Sequence, residues 1–96
     1  MNPALAQHRK TIDQLDLELL RLINDRARTV AEIARLKQEQ ALPVSDEARE
    51  AAVLHALVER NDGPLKAAGV RRIFGAILAE SRHLQHHLGA EPTCAK

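Results

Sequence analysis

Three basic residues lie on the apolar face of the first predicted helix, where a cation needs an anionic partner. On a helical wheel with about 100° per residue, Arg9, Arg26 and Lys37 fall within about 60° of Ile12. The other basic residues of this segment, such as Arg35, fall about 140–180° away and face solvent. Cations within an apolar stripe cost free energy unless an anion meets them. The placement therefore predicts a site for a negatively charged group.

Polar side chains also interrupt the apolar faces of the two later segments. The inward positions there are Asp46, Arg49, Glu50, Ser81 and Gln85. Any one of these positions alone is more simply explained by an internal ion pair, as we expect for Asp16 on the first helix. Together, however, four inward cations face only three inward carboxylates. This surplus predicts a small anionic ligand, most simply a dicarboxylate held by arginine side chains.

The chemistry that such a site could support is limited. No Ser–His or Cys–His pair with an orienting carboxylate is evident, and no glycine-rich loop is present to bind phosphate. His83 and His87 are four residues apart but have no third ligand at metal-site spacing, so we expect no metal and no cofactor. What remains is electrostatic stabilisation of charge that develops within one bound anion.

The residues that would build this site lie on three predicted helices. These span about 3–41, 46–60 and 65–88, and no segment shows the alternating pattern of a strand. We expect Asn2 and Pro3 to start the first helix, Gly63 and Pro64 to end the second, and Gly89 to end the third. We therefore predict one all-α domain over residues 1–90, with 91–96 as a flexible tail.

The first helix is too long for its own core. Nearly forty residues form a rod of roughly 58 Å, whereas a compact domain of about a hundred residues has a radius of gyration of about 13 Å. Its apolar stripe nevertheless continues along the whole length, through Leu5, Ile12, Leu15, Leu19, Leu22, Ile23, Val30 and Ile33. The simplest partner for the overhang is a second copy of the chain, which predicts a homodimer.

Composition excludes several other functions. A net charge of +1 and a single aromatic residue, Phe74, argue against nucleic-acid binding. The first residues are too polar for a signal peptide, and no apolar run approaches the ~18 residues of a membrane span. The single Cys94 cannot form an intramolecular disulfide and suits a reducing compartment, so we expect a cytoplasmic protein. We also expect no second catalytic or amino-acid-sensing domain after the third helix.

Five blocks of the sequence resemble the all-helical class of chorismate mutases. They are RKTIDQLDLELLRLINDRA (9–27), Lys37, PVSDEARE (43–50), NDGPL (61–65) and IFGAILAESRHLQ (73–85). The resemblance covers about residues 5–88, and no matched position is altered. It implies an intertwined homodimer of three-helix protomers, in which the long first helix crosses between subunits.

The resemblance also implies a role for each inward polar residue. The reaction would be the [3,3]-sigmatropic rearrangement of chorismate to prephenate, on the route to phenylalanine and tyrosine. Lys37 and Gln85 would donate hydrogen bonds to the ether oxygen whose bond breaks, and Glu50, with Asp46 nearby, would receive the ring hydroxyl. The carboxylates would be bound by Arg26 of the same subunit, Arg9 of the neighbouring subunit, Arg49 and Ser81.

Two other functions remain open from the sequence. Isochorismate–pyruvate lyase uses the same scaffold for a related elimination, although the presence of both Asp46 and Glu50 favours the mutase. A non-enzymatic helical dimerisation module is the more distant alternative. In such a module the cations should flank the seam, whereas Arg26 falls in the core series 12, 19, 26, 33.

Overall fold

A computed structural model of the chain describes residues 2–44 and 46–90, with side chains as far as residue 87. It contains three helices, α1 (Pro3–Glu39), α2 (Glu47–Arg60) and α3 (Ala67–Ala90), and no strand among the residues described. The prediction of an all-α fold is thereby confirmed. The tail expected at 91–96, with Cys94, lies outside the described residues.

Helix α1 begins where the sequence predicts. The Asn2 side chain accepts hydrogen bonds from the backbone N–H groups of Ala4 at 2.9 Å and Leu5 at 3.2 Å. Pro3 follows at the first helical position, where its missing N–H costs nothing. The cap thus satisfies two of the donors that a helix start leaves free.

The end of α1 comes two residues before the predicted boundary at 41, because the chain reverses there through a left-handed residue. Ala41 has φ 55°. The N–H of Leu42 donates to the Lys37 carbonyl at 2.8 Å, and the N–H of Ala41 donates to the Gln38 carbonyl at 3.3 Å. These two bonds form a Schellman motif, which usually has glycine at the left-handed position. The sequence has alanine there, so the usual signal for a helix end is missing.

The turn between α2 and α3 is organised by one asparagine. Helix α2 ends at Arg60 as predicted. The Asn61 amide then donates to the Leu65 carbonyl at 2.6 Å, while its Oδ1 accepts from the Gly63 N–H at 3.2 Å. The first backbone hydrogen bond of α3 is donated by the Val70 N–H to the Lys66 carbonyl, so α3 begins at Ala67 rather than at 65. It also continues through Gly89 to Ala90, where the sequence predicted that Gly89 would end it.

Helix α3 packs against both other helices, whereas α1 and α2 do not pack against each other over the described range. The buried residues of this core are Val30, Ala34, Val70 and Leu78. Every residue from 2 to 25 is exposed, including Leu17 at 67% and Ile23 at 42%. The chain accordingly measures 57 × 34 × 14 Å, and its radius of gyration is 17.3 Å. In the described part of the chain, no helix has the length and apolarity needed to cross a bilayer.

Replacing Ala41 by glycine is expected to raise the free energy of unfolding by about 0.5–1 kcal/mol, because glycine adopts a left-handed conformation without the steric cost of a Cβ atom. Denaturant unfolding at a fixed protein concentration measures the change. The matched control is Ala52→Gly, at an exposed position inside α2. There the same substitution should destabilise by about 1 kcal/mol. Equal destabilisation at both positions would contradict the left-handed turn.

Candidate active site

A cleft of about 280 Å³ lies among the three helices and the loop between α1 and α2. Seven of the eight predicted site residues line it, and they are Arg26, Lys37, Asp46, Arg49, Glu50, Ser81 and Gln85. Its other walls are apolar and include Val30, Ile33, Val53 and Leu78. The cleft therefore combines charged groups with a low-dielectric lining, in which their electrostatic interactions are stronger than in water.

Lys37 reaches the cleft from the last turns of α1 and is held there by two bonds. Its Nζ donates to the Val44 carbonyl at 2.9 Å and to Gln85 Oε1 at 3.1 Å. The Schellman turn at Ala41 brings the Val44 carbonyl back beside Lys37. An ammonium group has three N–H donors, so one remains available to a ligand. Gln85 in turn has its oxygen engaged and its Nε2 group left to donate.

Arg26 is attached to α3 through a serine. Its Nη1 donates to Ser81 Oγ at 2.5 Å, and Ser81 Oγ donates to the Ile77 carbonyl at 3.0 Å. Because the guanidinium is planar and carries five donors, fixing one of them orients the remaining N–H groups. Arg26 is thus a half-buried cation with a fixed direction, which is what recognition of a carboxylate requires.

The two carboxylates of the cleft have different surroundings. Asp46 is the N-cap of α2, and its Oδ1 accepts from the Arg49 N–H at 2.9 Å. Glu50 instead accepts a hydrogen bond from Arg82 Nη1, through Oε1 at 2.5 Å. Helical-wheel reasoning missed Arg82, because it lies about 120° from Val70, away from the apolar face of α3. Of the two carboxylates, Glu50 is the one not used to cap a helix.

Arg9 does not line the cleft. It is exposed on the first half of α1, seventeen residues before Arg26 and thus about 25 Å along the helix. Asp16 is also exposed and makes no ion pair with the described residues of this chain, so its predicted arginine partner is not found there. Arg49 lines the cleft and is exposed.

The basic residues assigned to the solvent face do lie there. Arg35 pairs with Glu32 at 3.1 Å and with Glu39 at 2.5 Å, on the exposed surface of α1. The hydrogen bonds that Arg35 donates to Glu32 and the Coulombic attraction of both carboxylates raise the pKa of Arg35. His83 lies 3.9 Å from Glu80 on the exposed side of α3. Over the described residues, no three His, Cys, Asp or Glu side chains are grouped as a metal site would require.

Comparison with known proteins identifies the family. The model of the family described as chorismate mutase type II matches residues 8–86. The chain belongs to this family. Residues 8–86 include every predicted site residue, from Arg9 to Gln85.

Curated relatives match this chain over part of their own length. A bifunctional chorismate mutase/prephenate dehydratase of Neisseria gonorrhoeae is 41% identical over 76 residues, which are 79% of this chain and 20% of that protein. A protein of the same description from Pseudomonas aeruginosa is 36% identical over 95 residues, covering 88% of this chain and 26% of that protein. The chain thus spans about a fifth to a quarter of the length of these relatives.

Solved structures match over almost their whole length. A chorismate mutase of Thermus thermophilus superposes with a TM-score of 0.85 at 36% identity, covering 86% of this chain and 94% of that one. A chorismate mutase of Helicobacter pylori, solved in complex with prephenate, gives a TM-score of 0.82 at 29% identity. That superposition covers 90% of this chain and 93% of that one. The three-helix protomer is therefore that of helical chorismate mutases.

Proposed function

We propose that this chain catalyses the rearrangement of chorismate to prephenate by electrostatic stabilisation, without a cofactor. The observation that carries the proposal is the convergence of Lys37 and Gln85. These residues come from α1 and α3, lie 3.1 Å apart, and occupy a cleft that also holds Arg26 and Arg49. Family membership and the prephenate complex of the Helicobacter pylori relative support the same reaction.

The arginines account for substrate binding. Chorismate is a dianion, and its two carboxylates must be held so that the reacting carbons approach each other. Arg26, fixed by Ser81, and Arg49 supply charge from the same subunit. Holding the folded, near-attack conformer converts binding energy into orientation, which can account for several kcal/mol of the barrier.

Lys37 and Gln85 account for the chemical step. As the C–O bond stretches, negative charge grows on the ether oxygen. The remaining N–H of Lys37 and the Nε2 group of Gln85 are the donors in the cleft for this oxygen. They bind the transition state better than the ground state and are already oriented before the reaction. The rearrangement is intramolecular and needs no proton transfer, so neither donor has to change its protonation state.

Glu50 is the acceptor for the ring hydroxyl in this proposal. The carboxylate of Asp46 caps α2, so Asp46 supports the site by fixing the start of the helix that presents Arg49 and Glu50. This assignment divides a role that the family resemblance places on the two acidic residues together. The hydroxyl contact fixes the orientation of the ring relative to the two donors.

The working unit in this proposal is a homodimer that shares its sites. The exposed apolar residues on the first half of α1 need a cover, and they are Leu5, Ile12, Leu15, Leu17, Leu19, Leu20, Leu22 and Ile23. A second α1 offers the same apolar surface, as a two-fold interface requires. The partner's α1 would also bring its Arg9 to the cleft. We place the reaction in the cytoplasm, in keeping with a sequence that has one cysteine.

The direct test is to incubate the purified protein with chorismate and to follow prephenate formation. A parallel incubation with isochorismate measures pyruvate release, which tests the lyase alternative. We expect prephenate from chorismate, with an unchanged rate after treatment with a chelator. Failure to convert chorismate would refute the proposal, and faster conversion of isochorismate would favour the lyase.

Replacing Lys37 by alanine should lower kcat about 10²–10³-fold, because one preorganised donor to the developing oxyanion is lost. Circular dichroism and sedimentation should show unchanged helicity and assembly. Arg35→Ala is the matched control, since Arg35 is two residues away on the solvent face. The Arg35→Ala substitution should leave kcat nearly unchanged. Similar mild effects at both positions would contradict the role of Lys37.

The amide of Gln85 donates without a titratable proton, so wild-type activity should persist from mildly acidic to mildly alkaline pH. In Gln85→Glu only the protonated carboxyl can donate, and the ionised form repels the developing charge. Activity of this variant should therefore rise as pH falls toward the ordinary carboxyl range near about 4.3. A pH–rate profile measures the shift. If active Gln85→Glu protein keeps the wild-type profile, Gln85 is not the donor.

Mixed dimers test the shared site. Arg9→Ala and Arg26→Ala should each abolish activity as homodimers. In a mixed dimer one site has both arginines intact, and the other site lacks both Arg9 and Arg26. Because random pairing makes about half of the dimers mixed, coexpression should restore about a quarter of the wild-type activity. Isolated mixed dimers that carry two different tags and remain inactive would show that Arg9 is not contributed across subunits.

A further inference from the structure

The ion pair between Glu50 and Arg82 differs from the others in the described residues. The remaining pairs join side chains three or four residues apart on one helix. The Glu50–Arg82 pair joins α2 to α3 across 32 positions of sequence. It connects a residue that lines the cleft to one that does not.

The geometry places Arg82 on the outer side of Glu50. The Glu50 side chain is 23% exposed and faces the cleft, whereas Arg82 is 40% exposed and lies outside it. Arg82 Nη1 engages Oε1. Among the side-chain hydrogen bonds of the described residues, Glu50 accepts only this one, so Oε2 is left as an acceptor on a residue that lines the cleft.

We propose that Arg82 is a positioning residue that holds Glu50 as a ligand acceptor, an inference that rests on the function proposed above. A glutamate has three side-chain torsions and can reach several neighbours. The cleft offers it Arg26, Lys37 and Arg49 as alternative partners. A Glu50 carboxylate that turned toward these cations would neutralise charge that the dianion needs. Arg82 holds the carboxylate from outside, which keeps the cations available and leaves one oxygen for a hydroxyl group.

A double-mutant cycle in activity tests this role. Arg82→Met should lower kcat/KM about tenfold or more, because the acceptor is misplaced and competes for the cleft cations. In a Glu50→Gln background, the same substitution should change kcat/KM by less than about twofold, since the group on which Arg82 acts has gone. Arg82→Lys keeps a charged donor and should retain most of the activity.

The controls separate positioning from stability. A half-exposed ion pair contributes little to folding, so the thermal midpoint of Arg82→Met should stay close to that of the wild type. Arg71→Met removes an exposed arginine from the same helix and should leave activity unchanged. The positioning role is wrong if Arg82→Met is fully active, if its loss is as large in the Glu50→Gln background, or if Arg82→Lys is as impaired as Arg82→Met.

A readout without turnover keeps this inference separate from the proposed reaction. The side-chain carboxyl ¹³C resonance of Glu50, assigned by comparison with Glu50→Gln, should move in unliganded Arg82→Met and stay in place in Arg71→Met. An inactive wild-type protein would refute the proposed reaction. The Glu50 resonance would then still test whether Arg82 contacts the Glu50 carboxylate. A resonance unmoved by Arg82→Met would overturn the positioning role as well.

Discussion

The described part of the chain leaves the first half of the 37-residue helix α1 uncovered, and most features of the molecule follow from this constraint. Only Val30 and Ala34 of α1 are buried, and both lie in its second half. The first half has apolar residues, and in the described part of the chain none of them is buried. In the proposed dimer, the same excess length that exposes these residues carries Arg9 to the other subunit's cleft. Stability and substrate binding then depend on one interface.

The proposed chemistry requires that charged groups be held in place around the substrate, so the site needs rigid elements. Lys37, Arg26, Ser81 and Gln85 all project from helices, where the backbone torsions leave little freedom. Fixed backbone groups complete the arrangement, since the Val44 carbonyl and the Ile77 carbonyl each hold a polar side chain. Donors oriented in this way need little reorganisation when charge develops, which distinguishes them from water.

The sequence predicted the parts of the molecule that depend on helical periodicity. Composition and the signals for helix starts and ends were enough to find the three helices, and wheel positions about their apolar faces found seven residues of one cleft. Arg82 was missed because its role depends on how α2 and α3 are packed, and the wheel of one helix holds no such information. The end of α1 was predicted two residues too late, because Ala41 adopts a left-handed conformation that cannot be expected from an alanine in the sequence. The wheel of α2 also put Asp46 inward without showing that its carboxylate caps the helix.

The two carboxylates have surroundings that let a cationic cleft contain acids and keep the positive charge that the proposed dianionic substrate needs. Three cations and two carboxylates line the cleft, and direct pairing among them would leave little positive charge. Asp46 is instead engaged by a backbone N–H at the start of α2, where the helix dipole favours a negative group. Glu50 is engaged by Arg82 from outside. Because neither acid is engaged by the charged side chain of a cleft cation, Arg26, Lys37 and Arg49 keep their charge for the proposed ligand, to which the acids would add hydrogen-bonding specificity without cancelling the field.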